Sequence, residues 1–120
     1  MNTDIALFIL RVITGLALLT HGWPKFKGFV GTMKWLQSEG FPLPLISTCL
    51  VVLAEFFGAI LLILGVYVQY VAAFIALNFV VVILYHLKKK QGWKAMEMAV
   101  LYLAIAVTLA LAGAGAWALV

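Results

Sequence analysis

The chain has 120 residues, of which 67% are hydrophobic and only 10% charged. Soluble domains charge about a quarter of their residues, so this composition excludes an ordinary water-soluble domain and points to a chain solvated largely by lipid. The net charge of +4 invites a nucleic-acid reading, which the placement of the lysines rules out below. The first apolar block, Asp4 to Gly22, is long enough to cross a hydrocarbon core about 30 Å thick. It does not read as a signal peptide: its Asn-Thr-Asp opening is acidic, and no small-residue cleavage site precedes Gly22–Trp23–Pro24, which reads as a stop.

A loop from Trp23 to Pro44 follows. In it Thr32 can cap a helix that runs to Glu39 and stops at Gly40, ahead of Pro42 and Pro44. Trp35 and Leu36 would face lipid and Lys34 and Gln37 water, so a short interfacial helix is expected. The second block (Leu45–Gly65) and the third (Tyr67–Leu87) are joined by a turn so short that they must form an antiparallel hairpin. The fourth runs from Ala95 to Leu119. All four are continuously apolar rather than alternating, which selects helices over a β-barrel. The expected fold is all-α: one domain, a transmembrane four-helix bundle with spans at about 4–22, 45–65, 67–87 and 95–119.

Lys25, Lys27 and Lys34 lie between spans one and two, and Lys88, Lys89, Lys90 and Lys94 between spans three and four. All seven lysines therefore fall on one side, which the positive-inside rule makes cytoplasmic, with both termini outside. The expected location is the cell inner membrane. The basic loops suit anionic headgroups rather than nucleic acid. Tyr67, Tyr70 and Trp117 are expected at the outer interface, and Trp23, Trp35, Tyr85 and Trp93 at the inner one. Gly15, Gly58, Gly65, Gly113 and Gly115 offer close-approach points, Gly58 forming a small-xxx-small pair with Ala54. The single cysteine, Cys49, is read as packing.

Few polar side chains enter the spans. Arg11, Glu55 and Asn78 fall near one depth, judged by a rise of about 1.5 Å per residue. Neither Arg11 nor Glu55 is tolerable uncompensated in hydrocarbon, so the two are expected to pair, with Asn78 completing a buried polar core. At the cytoplasmic end His21, His86 and Glu97 could converge. Glu97, Leu101, Ala104, Thr108 and Gly115 form a stripe expected to face inward on span four. Three readings of this end stay open: side chains solvated by headgroup water, a proton or quinone-headgroup site with Trp23 and Tyr85 supplying ring contacts, and a metal or haem site built on His21, His86 and Glu97.

The ordered set Leu10–Arg11, His21–Gly22 with Lys25, Phe41–Pro42, Ala54–Glu55 with Gly58, Gly65, His86–Leu87 and Glu97 resembles the DoxX family of small bacterial and archaeal membrane proteins. The resemblance covers nearly the whole chain and implies a four-helix integral membrane protein. The family takes its name from a small subunit associated with thiosulfate:quinone oxidoreductase and a terminal oxidase. Other members are linked to redox homeostasis and membrane oxidoreductase complexes, and distant relatives include assembly chaperones for membrane receptors. The chain departs from a thiosulfate-oxidising subunit in having no soluble domain and no cysteine pair. The function expected is that of a subunit of, or accessory to, a quinone-linked redox system, with quinone as the cofactor class, lipid and other redox subunits as partners, and an oligomer as its state. It is not expected to be a complete enzyme alone. The rivals are a non-enzymatic scaffold or assembly chaperone and a small carrier.

Overall fold

The computed structural model describes residues 2–118. Among these there is no strand, and four helices are long and apolar enough to cross a membrane: α1 (Asn2–Lys27), α3 (Pro44–Leu64), α4 (Val68–Lys88) and α5 (Trp93–Ala112). A shorter helix, α2 (Phe29–Ser38), bridges the first two.

The first span does not stop at Gly22–Trp23–Pro24. Pro24 lies inside α1, where its ring removes one backbone donor. The helix nevertheless runs on to Lys27, because its next turn is packed: Phe26 stacks on Phe56 of α3 with ring centroids 4.5 Å apart. α2 begins at Phe29 rather than at Thr32, whose hydroxyl bonds back to the Gly28 carbonyl at 3.0 Å. It ends where Gly40 adopts φ +86°. Trp35 is half exposed, but Leu36 is buried, so α2 turns an apolar residue into the bundle instead of facing both to lipid.

α3 is not a uniform α-helix. Residues Leu53–Phe57 form a π-type turn, closed by the Gly58 N–H donating to the Leu53 carbonyl five residues back. Such turns are rare and often mark functional positions. α3 packs on α1 along a seam of small residues. Gly15 lies against Ala59 and Ile63, and Gly22 lies against the backbone of Glu55 and Phe56. Arg11, Gly15, Leu18 and Gly22, all buried, repeat at alternating four- and three-residue steps, which keeps one face of α1 on its partner.

α4 and α5 pack together along an extensive seam. The buried face of α5 is Ala99, Tyr102, Ala106 and Leu109, not the Glu97–Leu101–Ala104–Thr108–Gly115 stripe expected; Leu101 is exposed. Thr108 satisfies its hydroxyl on the Ala104 carbonyl of its own helix at 2.8 Å, so it needs no interior partner.

The last helix ends at Ala112, short of the predicted 119, because Gly113 and Gly115 take φ of +84° and +79°; Leu119 lies outside the described residues. The tail folds back over α1. The Ala116 N–H donates to Asp4 at 3.1 Å, Trp117 packs edge-on against Phe8, and Arg11 donates to the Trp117 carbonyl at 2.5 Å. Arg11→Gln should therefore release the tail. A hydrogen bond to a charged group contributes about 1.5–3 kcal/mol, so amide exchange at Ala116 and Trp117 should accelerate by about tenfold or more, measured by hydrogen–deuterium exchange. Unchanged protection there would mean that Arg11 does not hold the tail.

Candidate functional site

Glu55 is 2% exposed and Lys25 35%. The Lys25 ammonium lies 2.5 Å from Oε1 of Glu55, and the Asn78 amide donates to Oε2 at 3.0 Å. Three helices thus meet at one carboxylate, and both of its oxygens are engaged. The π-type turn sits at this level of α3, and Gly22 lets α1 approach closely enough for Lys25, three residues on, to reach Glu55. A buried carboxylate requires such partners, since removing it from water unpaired is costly.

The expected Arg11–Glu55 contact is not made. Arg11 is buried two turns nearer the other end of α3, where it donates to the Leu62 carbonyl at 3.2 Å and lies over the Phe8 ring. Its Nε is buried without a hydrogen-bond partner among the described residues. The depth estimate failed because α1 extends beyond Pro24. The close approach of Gly22 to the Glu55 backbone sets the register of α1 on α3, and the turn that follows brings Lys25, not Arg11, to the carboxylate.

The buried pair lines two cavities. One, of about 200 Å³, is lined by His21, Lys25, Glu55, His86 and Tyr102 among others. The other, of about 350 Å³, is lined by Lys25, Trp35, Glu55, Asn78, Tyr85 and His86 with apolar neighbours. His21 faces the Tyr102 ring edge-on at 5.7 Å. His86 bonds through Nδ1 to the side chain of Gln91. The Tyr85 hydroxyl donates to Glu39, so this ring ties α4 to the end of α2 rather than joining a lipid-facing belt.

Two expected members stand apart. Glu97 lines neither cavity and pairs with Lys94 at 3.8 Å on the surface. Trp23 is half exposed and packs beside Phe26 and Phe56 on the outside of the bundle. Among the described residues no three His, Cys, Asp or Glu side chains are grouped closely enough to hold a metal ion. The His21–His86–Glu97 triad considered as a metal site is therefore not assembled.

Lys25 is the residue sequence reasoning missed. The signal was present: it continues the Arg11–Gly15–Leu18–Gly22 spacing by three residues, on the buried face of α1. Reading Pro24 as a stop hid it.

The family model described as DoxX matches residues 6–87. Inner membrane protein YphA of Escherichia coli (strain K12) is 34% identical over 65 residues, 54% of this chain and 46% of that protein. A Bacillus subtilis (strain 168) protein named "Putative oxidoreductase CatD" is 32% identical over 77 residues, 64% of this chain and 56% of that protein. Inner membrane protein YqjF of Escherichia coli (strain K12) is 30% identical over 76 residues, 61% and 55% respectively. The matches span about half the length of these curated relatives. No solved structure matches the chain.

Proposed function

The chain belongs to the DoxX family of multi-pass membrane proteins, and on that premise we propose that it is a membrane subunit or accessory of a quinone-linked redox system, holding a quinone head at Lys25, Glu55, Asn78 and His86. The observation that carries this reading is the buried Lys25–Glu55–Asn78 cluster opening on a cavity of about 350 Å³. Ligand sites commonly have about this volume, with apolar walls and a few convergent polar groups. A quinone carbonyl needs donors, which Lys25 and Asn78 supply. Reduction also takes up protons, and His21 and His86 are the side-chain type that exchanges them near neutral pH. The oxidoreductase name of the Bacillus subtilis relative supports a redox role.

The test is titration of the purified protein with a short-chain benzoquinone, by calorimetry. Lys25→Met, Asn78→Leu and His86→Ala should each weaken binding by about tenfold, the equivalent of one hydrogen bond, and His21→Ala by less. Equal affinity in the wild type and all four variants would sink the quinone-site reading.

The one-sided lysines support a topology with the loop around Gln91 in the cytoplasm and the N-terminus outside. With Cys49 replaced by Ser, a cysteine at Asn2 should label from outside intact cells and one at Gln91 should not; the reverse pattern would invert the topology.

A second reading, a scaffold for other membrane proteins, is favoured by the exposed aromatic patch of Trp23, Phe26 and Phe57 around Phe56. Quinone extraction separates the two: a scaffold would carry none at stoichiometric level.

A further inference from the structure

We infer that the polar cavity has a side entrance from the bilayer, between α3 and α4 beneath α2, and that the prenyl tail of the bound quinone lies in it. The inference rests on the quinone reading above. A third cavity, of about 390 Å³, shares Leu36, Phe41, Val51, Asn78 and Val81 with the polar one. Its outer lip is formed by Leu50 and Leu77, which are 48% and 66% exposed.

The opening has a structural cause. Near the hairpin turn the two helices close, because Gly58 leaves room for Ile75, which would stand 3.2 Å from an added Cβ. Toward the lysine loops, Pro44–Val52 packs chiefly on α1 and α2 instead. Leu36 and Phe41 roof the resulting gap without filling it.

The lining names the occupant. At Asn78 the path changes character: inward lie Glu55 and Lys25, outward only apolar walls and Ser47, whose hydroxyl already donates to the Pro42 carbonyl at 2.7 Å. A molecule filling both cavities is polar at one end and a hydrocarbon chain at the other. The cluster is neutral as a pair, since the Lys25 charge is taken by Glu55. It therefore offers the phosphate of a phospholipid no net counter-charge and favours an uncharged ring.

The experiment uses the full chain in nanodiscs of fixed lipid composition, titrated with a benzoquinone bearing a methyl side chain and with the same ring bearing a decyl chain. Leu50→Trp and Leu77→Trp narrow the lip while replacing one exposed apolar side chain with another. Burying several methylenes is worth more than a factor of ten in affinity, so both variants should lose about tenfold for the decyl probe and leave the methyl probe unchanged. Undiminished decyl binding in the variants, or equal loss of both probes, would overturn the entrance. Displacement of the decyl probe by decanoyl lysophosphatidylglycerol as effectively as by unlabelled decyl quinone would replace the proposed occupant with a lipid and overturn the inference. Failure of the methyl probe to bind the wild type would overturn the head site as well, whereas methyl binding with no gain from the chain would overturn the entrance alone.

Discussion

Replacing Lys25 with Met is expected to destabilise the protein by about 3 kcal/mol, the lower end of the cost of removing one member of a buried ion pair. The loss should exceed that of Glu55→Gln. The asymmetry follows from exposure: the Lys25 side chain is 35% exposed and Glu55 only 2%. Without Glu55, the flexible lysine stem can carry its ammonium to water at the nearby helix end. Without Lys25, Glu55 keeps Asn78 as a donor but no counter-charge and cannot reach solvent. Glu55→Gln should therefore cost about 1 kcal/mol, roughly one net hydrogen bond. The double variant Lys25→Met/Glu55→Gln should recover much of the single Lys25 loss, because a buried pair can be replaced by neutral groups at little cost. Denaturant unfolding in one detergent measures all three. Arg11 supplies the control: it does not touch Glu55, so Arg11→Met and Glu55→Gln should add. Equal costs for Lys25→Met and Glu55→Gln, or coupling between Arg11 and Glu55, would contradict the observed pairing.

Gly22→Ala is expected to cost about 3 kcal/mol or to prevent assembly altogether. A Cβ at Gly22 would lie 2.3 Å from the Glu55 carbonyl oxygen, 2.4 Å from its carbon and 2.6 Å from the Phe56 nitrogen. All three are backbone atoms of the π-type turn, so no side chain can rotate away. Helix α1 would have to retreat by about 1 Å to restore ordinary contact, and overpacking of this kind costs about 1–3 kcal/mol or more. The retreat would also draw Lys25 from Glu55, so Gly22→Ala should weaken quinone binding. Gly31→Ala on α2 is the comparison, because an added Cβ there meets nothing within 4 Å. It should be neutral or stabilising by up to about 1 kcal/mol, since glycine in a helix interior is unfavourable. Thermal unfolding of both variants decides the point. Similar midpoints would mean that the α1–α3 seam is looser than its geometry.

The four spans and the one-sided lysines were legible because lipid solvation demands long uninterrupted apolar runs, which composition exposes directly. Gly15 and Gly58 were legible as close-approach points for the same reason. Which charges meet was not legible. Pairing depends on how two helices slide along each other, and Pro24 signals a break that packing by Phe26 overrides. Nothing in Leu53–Phe57 announces a π-type turn, since its residues are ordinary helix occupants. Thr108 illustrates another limit: a polar residue in a span suggests an inward face, yet its own helix satisfies it. Glu97 is similar, being claimed by Lys94 one turn away.

The central claim is that Glu55 stands at the head of the bound ligand. Difference infrared spectroscopy on protein labelled with ¹³C-glutamate, with and without a short-chain benzoquinone, tests it most directly. The chain holds few carboxylates, and among the glutamates only Glu55 is buried. Binding should perturb a glutamate carboxylate band, and that signal should vanish in Glu55→Gln. A difference spectrum that is the same in the wild type and Glu55→Gln would contradict the account.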